Sequence, residues 1–232
     1  MLLSKDNIKT LAAFLLHPVH LLKDHSRLVR SKIVGGKGNS ISLRDCWITK
    51  TDIVFQGHRN AIEFNEAALL NCSIIVQGSN HHIVLDREVQ LSNVVIKVFG
   101  SDNVIHIGAR SSLGGGLIVH GGKGIEIQIG EGCVLAEGLE IWSTDTHSLY
   151  KEGEERNCSN PPRSIRIENH VWLGKDVAVM KGVTIRHDAV VGIRSVVTKD
   201  VDSCSLYVGS PCRKVRDNIR WNLTSPNNER KD

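Results

Sequence analysis

Apolar side chains recur along the second half of this chain at a spacing that neither a helix nor alternating strands produce. Ile167, Leu173, Val179, Ile185, Val191 and Val197 stand six residues apart without a miss. Four residues after each comes Val171, Val177, Val183, Ala189, Ser195 or Val201, all small or β-branched. A helix repeats every 3.6 residues and a half-buried strand every two, whereas a longer fixed period marks a stacked repeat. A period of six predicts short flat strands joined by tight bends, each pointing one aliphatic side chain inward. Three such strands close one coil of a parallel β-helix, with coils stacked about 4.8 Å apart. The expected class is all-β.

Upstream the repeat loosens. Ile41, Ile62, Ile83 and Ile105 are separated by 21, 21 and 22 residues, and each follows a glycine-led segment such as Gly38-Asn39-Ser40. Between them Asp45-Cys46-Trp47-Ile48 is echoed by Asn71-Cys72-Ser73-Ile74 and Asn93-Val94-Val95-Ile96. Glycine and asparagine suit corners that need positive φ. The reading is one domain over 1–232, with irregular coils over 33–128, strict coils over 129–202 and a C-terminal tail over 203–232. Ile8, Leu11, Ala12, Leu15, Val19 and Leu22 recur at helical spacing, which predicts a helical segment over 6–30, bent at Pro18 and capping the first coil.

One interruption breaks the strict register. From Ile141 to Ile167 the chain uses 26 residues where one coil would use 18. A polar loop ending in Pro161 and Pro162 is therefore expected over 148–164, and long loops on rigid repeats carry function disproportionately often.

Composition agrees with a narrow aliphatic prism: 41% hydrophobic residues, only 4% aromatic, and 21 glycines for the corners. The net charge of +4 is too mild to argue for nucleic acid. Lys199, Arg213, Lys214, Arg216 and Arg220 gather basic charge near the C-terminus, either as a solvated end or as an anion site. No segment reaches the roughly 20 apolar residues of a membrane span and no secretory leader is legible, so the expected compartment is the cytoplasm. The six cysteines form no CxxC pair, and Cys46, Cys72 and Cys133 fall in repeat slots that suit small buried side chains.

The run His170-Val-Trp-Leu-Gly-Lys-Asp-Val, continuing to Ile185, with Val190 to Val201 and Val208-Gly-Ser-Pro-Cys-Arg-Lys-Val215, resembles the hexapeptide-repeat acyltransferases. Ser143-Thr-Asp-Thr-His-Ser-Leu-Tyr150, followed by a loop and Asn169-His-Val-Trp172, is similar more narrowly to the bacterial capsule and lipopolysaccharide O-acetyltransferases, including those acting on sialic acid. The resemblance covers roughly 127–221. It implies a left-handed parallel β-helix, although the usual crossover rule would favour the opposite hand. It also implies a homotrimer with active sites between subunits, acetyl-CoA as co-substrate, a saccharide acceptor, and no metal.

Moving an acetyl group from a thioester to a sugar hydroxyl requires a base, donors for the oxyanion, and two substrates held together. Histidine is the base best tuned to neutral pH. His147 stands six residues after Ile141, where the register calls for a buried aliphatic, and the family's catalytic histidine occupies this place. Asp145 either orients it or caps the turn. The resemblance places Trp172 at the acceptor, its indole N–H able to donate to developing charge. Trp142 and Tyr150 flank the same region and could stack on a sugar. Gly174 and Gly192 either admit the pantetheine arm or merely relax corners, and Lys199, Arg213 and Lys214 are implied for the coenzyme phosphates. His170 and His187 read as solvated, and no ligand spacing joins His81, His82, His106 and His120. The expected activity is acetyl-CoA-dependent O-acetylation of a bacterial surface polysaccharide or its sugar precursor, by direct transfer. Alternatives are N-acetylation of an amino-sugar nucleotide, a zinc-dependent carbonic anhydrase of the same fold, and a non-catalytic β-helix.

Overall fold

In the computed structural model, residues 19–154 and 158–224 are described. Among them there are 26 strands and no helix. The chain winds as a left-handed parallel β-helix. Each coil contributes one strand to each of three sheets, and within a sheet every third strand is a neighbour up to β23 (Val190–Val191) on face B. Face A begins with β1 (His20–Asp24), face B with β2 (Arg27–Val29) and face C with β3 (Lys32–Val34). Faces A and C have 8 strands each and face B has 10, which makes eight full coils.

The inward rows explain the repeat. Ile41, Ile62, Ile83, Ile105, Ile127 and Ile165 pair successively along face A, so the loose early spacing and the strict late spacing are one ladder. Ile74, Ile96 and Ile141 are wholly buried inside face C, each side chain contributing about 1.5–3 kcal/mol by leaving water. Cys46, Cys72 and Cys133 are buried, and burial pushes all three thiols up.

Corners are built in two ways. Asp45, Asn71, Asn93 and Asp176 take positive φ, as the sequence predicts for its asparagines at 71 and 93. Asn39, Asn60, His81 and Asn103 do something else: each sits one coil above the next and is buried. Asn39 Oδ1 accepts from the Asn60 amide nitrogens, Asn60 Oδ1 from the His81 backbone, and His81 Nδ1 from the Asn103 backbone. The ladder satisfies backbone groups that four successive corners would otherwise bury unpaired.

The helical reading fails where it can be checked. Residues 6–18 lie outside the described residues, but His20–Asp24 and Arg27–Val29 are strands of the first coil, pairing with Ser40–Arg44 and Trp47–Thr49. Leu21 pairs with Ile41, and this ladder to the second coil decides for a strand. The tail over 203–232 also contains structure: β25 (Leu206–Gly209) joins face B in parallel, and β26 (Cys212–Arg216) folds back on it antiparallel, ending that sheet.

Candidate active site

The expected loop leaves the prism after β18 (Leu139–Trp142) on face C and returns at β19 (Ile165–Ile167) on face A. Its root is closed. The Arg163 N–H donates to the Ser143 carbonyl at 2.9 Å, and the Glu126 N–H to Ser164 Oγ at 3.0 Å. Within the loop Asn160 is the hub. Its amide donates to Asp145 Oδ2 at 2.6 Å and to the His147 carbonyl at 2.9 Å, while its Oδ1 accepts from Leu149 N–H at 2.6 Å. Lys181, one coil on, donates to the same Asp145 oxygen at 2.5 Å and to the Asn160 carbonyl at 2.9 Å. The Lys181 ammonium holds the Asp145 carboxyl below the usual range, against an opposing effect of burial and with a lesser contribution from the Asn160 amide.

His147 is exposed, and its Nδ1 lies 3.0 Å from Thr146 Oγ1. With one ring nitrogen so engaged, Nε2 is the other nitrogen of this exposed ring. Thr146 has φ 63°. Among the described non-glycine residues with positive φ it is the only β-branched one, a conformation costing of order 1–3 kcal/mol that surrounding structure must enforce. The Asp145 carboxylate contacts Lys181 and Asn160, and reaches His147 only through the Asn160 amide on its carbonyl.

Beneath the loop root, β15 (Gly116–Lys123) places His120 in the inward row of the prism, in register with Val98 one coil above. It is wholly buried, with Nδ1 at 2.9 Å from Ser143 Oγ. Burial pushes its pKa down to about 4, so it is a neutral spacer anchoring the residue where the loop departs.

Trp172 opens β20 (Trp172–Leu173) on face B, between Val134 and Val190, and its side chain is 42% exposed. It stands beside the corner between faces A and B, whereas His147 leaves from the corner between faces C and A. No contact joins them among the described residues. Trp221, in the tail, lies 6.0 Å from Trp172 at a 45° tilt and stacks on His170. His170 is thus half-buried and held by Asp188 at 2.6 Å, rather than solvated; His187 is exposed as expected. Trp142 donates its indole N–H to Glu140 at 3.0 Å, and Tyr150 is exposed.

The residues expected around the coenzyme divide. A Cβ on Gly174 would sit 2.7 Å from the Ile193 backbone nitrogen, and one on Gly192 would sit 2.7 Å from a Val208 methyl. Packing between coils is therefore reason enough for glycine at 174. Lys214 is bound by Asp202 at 2.7 Å and Asp217 at 2.8 Å, which together raise its pKa, Asp202 more strongly. Arg213 donates to its neighbour's carbonyl. Lys199 has neither ion pair nor hydrogen bond among the described residues.

His187, Asp188 and Cys204 bring three ligand-type atoms within 4.8 Å of one another, a convergence the sequence spacing does not reveal. A groove of about 520 Å³ on face A, between His106 and His187, contains none of the residues singled out for acyl transfer. Thr146, Asn160, Lys181 and Trp221 escaped sequence reasoning; only the length of the loop hinted that something must fix it.

No protein-family model matches the chain. The polysialic acid O-acetyltransferase of Neisseria meningitidis is 33% identical over 150 residues, 63% of this chain and 68% of that protein. The Escherichia coli polysialic acid O-acetyltransferase is 28% identical over 143 residues, covering 62% of this chain but 45% of the relative. The crystal structure of the polysialic acid O-acetyltransferase OatWY superposes with a TM-score of 0.71 at 26% identity, over 90% of this chain and 93% of that one.

Proposed function

The chain belongs to the hexapeptide-repeat acetyltransferases that include the polysialic acid O-acetyltransferases, and we propose that it transfers an acetyl group from acetyl-CoA to a hydroxyl of a bacterial surface polysaccharide or its sugar precursor. The observation that carries this reading is the loop inserted into an otherwise regular prism. It offers a single imidazole five residues after the chain leaves face C, with Nδ1 engaged by Thr146 Oγ1 and its backbone held by Asn160.

His147 Nε2 takes the hydroxyl proton as the oxygen attacks the thioester carbonyl. The tetrahedral oxyanion is met by a donor such as the Trp172 indole N–H, and collapse expels the coenzyme thiolate, which recovers the proton from the imidazolium. Asp145 serves by fixing the loop with Lys181 and Asn160 rather than by contact with the ring. Since His147 and Trp172 occupy different corners of one prism, the complete site lies in a homotrimer, between the His147 loop of one subunit and the Trp172 side of the next. The coenzyme runs along the C-terminal coils past Gly174 and Gly192, with Lys199 and Arg213 the cations most open to its phosphates. Lys214, bound to two carboxylates, contributes less.

The test is acetyl transfer to capsule-type oligosaccharides followed by mass spectrometry. An alkali-labile ester supports O-transfer, and a stable amide would assign the chain to N-acetylation instead. His147→Ala is expected to lower kcat by roughly 10²–10⁴-fold while acetyl-CoA still binds; a variant within threefold of wild type removes His147 from the reaction.

A further inference from the structure

Of the exposed large apolar side chains on face B, two are tryptophans, Trp47 and Trp172, and they occupy the same outward row. The register runs Arg27, Trp47, Ala68, Gln90, Ser112, Val134, Trp172, one residue per coil. Trp47 and Trp172 are therefore five coil steps apart, about 24 Å at the usual strand spacing. Between them lies a groove of about 410 Å³ whose lining includes Gln90, Ser112, Val134 and Lys175.

Trp47 is 54% exposed yet held in place. Its indole N–H donates to Thr49 Oγ1 at 3.0 Å, and the Arg27 guanidinium, one coil earlier, covers the ring at 5.4 Å from its centroid. One ring face is thus backed by a cation. The other looks along the row toward Ala68, whose methyl group leaves space above it. A fixed aromatic face left open to water gains by being covered, and little ordering entropy opposes the binding.

We propose that face B carries the body of the polysaccharide acceptor, with Trp47 a distal platform on which a sugar ring stacks while the reacting unit lies near Trp172. This rests on the functional reading above. The C–H face of a pyranose matches the open side of the indole. Arg27 beside the ring favours a sugar bearing a carboxylate. The donor then enters along the C-terminal coils and the acceptor along the N-terminal ones, and the two meet where the row reaches Trp172.

The experiment compares sialic acid oligomers too short to span about 24 Å with the full polymer, in kinetics and in binding followed by tryptophan fluorescence without acetyl-CoA. Trp47→Ala is expected to raise KM for the polymer about three- to tenfold, the size of one aromatic stacking contact. It leaves kcat and the short-oligomer constants unchanged, and Trp47→Phe recovers most of the loss. An unchanged polymer KM overturns the proposal, as does an equal loss on short and long acceptors. A fall in oligomeric mass would assign Trp47 to a subunit contact and overturn it as well. The binding arm keeps the two readings apart: polymer binding that depends on length and on Trp47, without thiol release from acetyl-CoA, defeats the acetyl-transfer reading and leaves this one standing.

Discussion

Trp221 lies flat on His170, with ring centroids 4.1 Å apart and planes within 8° of parallel, and donates its indole N–H to the carbonyl of the same residue at 3.0 Å. His170 is in turn gripped by Asp188. The tail thus presents a second indole to Trp172, and the orientation of the expected acceptor residue depends on a residue 49 positions further along the chain. Trp221→Ala is expected to reduce kcat/KM about three- to tenfold, the worth of one ring contact, and to red-shift Trp172 emission. Trp221→Phe restores most of the activity because the stack survives without the N–H.

Asn160 joins three parts of the loop through one amide. Asn160→Ala frees the His147 carbonyl, the Leu149 N–H and one side of Asp145 together, and a reacting group displaced by about 1 Å loses up to 10²-fold in rate. The expected result is a kcat lowered at least tenfold, with a melting temperature close to wild type because the loop lies outside the prism core. Steady-state kinetics and thermal unfolding check both halves.

His120 makes acid stability a readout of the loop root. Its pKa drops from the ordinary 6.5 to about 4 because burial disfavours the charged ring. Below pH 6.5 the unfolded chain takes up a proton that the folded chain refuses. Folding therefore loses stability as pH falls from about 6.5 to about 4, by roughly 3 kcal/mol in all, and is unaffected above that window. His81, lowered mainly by burial, adds in the same direction. Urea unfolding of His120→Asn at pH 7 and pH 4.5 is expected to lack most of this slope; an unchanged slope would place the titrating group elsewhere.

Gly174 and Gly192 separate packing from coenzyme binding. The added methyl of Gly174→Ala meets backbone, which yields only if the coils shift, so a loss of about 1–3 kcal/mol is expected. Gly192→Ala meets the Val208 side chain, which is exposed and can turn away, so it is expected to be nearly neutral in stability. A KM for acetyl-CoA that rises in Gly192→Ala would then report the pantetheine path without interference from unfolding.

The prism was legible because its interior admits one aliphatic residue per strand, and the ladder of Ile41, Ile62, Ile83 and Ile105 preserves that demand even where corner lengths vary. The stretch from Val19 to Leu22 was misread because two apolar residues three apart fit a helix face, whereas the strand that forms there is registered by Leu21 against Ile41, about 20 residues away. The position of the loop and of His147 could be read from the register. What holds them could not. Lys181 meets Asp145 from the next coil and Trp221 meets Trp172 from the tail, and no local pattern encodes either pairing.

The closed root of the loop separates the scaffold from its insertion. Ile127 pairs with Ile165 and Ile129 with Ile167 across the gap, so the two halves of the stack are zipped together whatever the intervening segment does. A protease cut inside 150–158 would leave a nicked but assembled particle, and over evolutionary time the segment could be exchanged wholesale without re-registering a single coil.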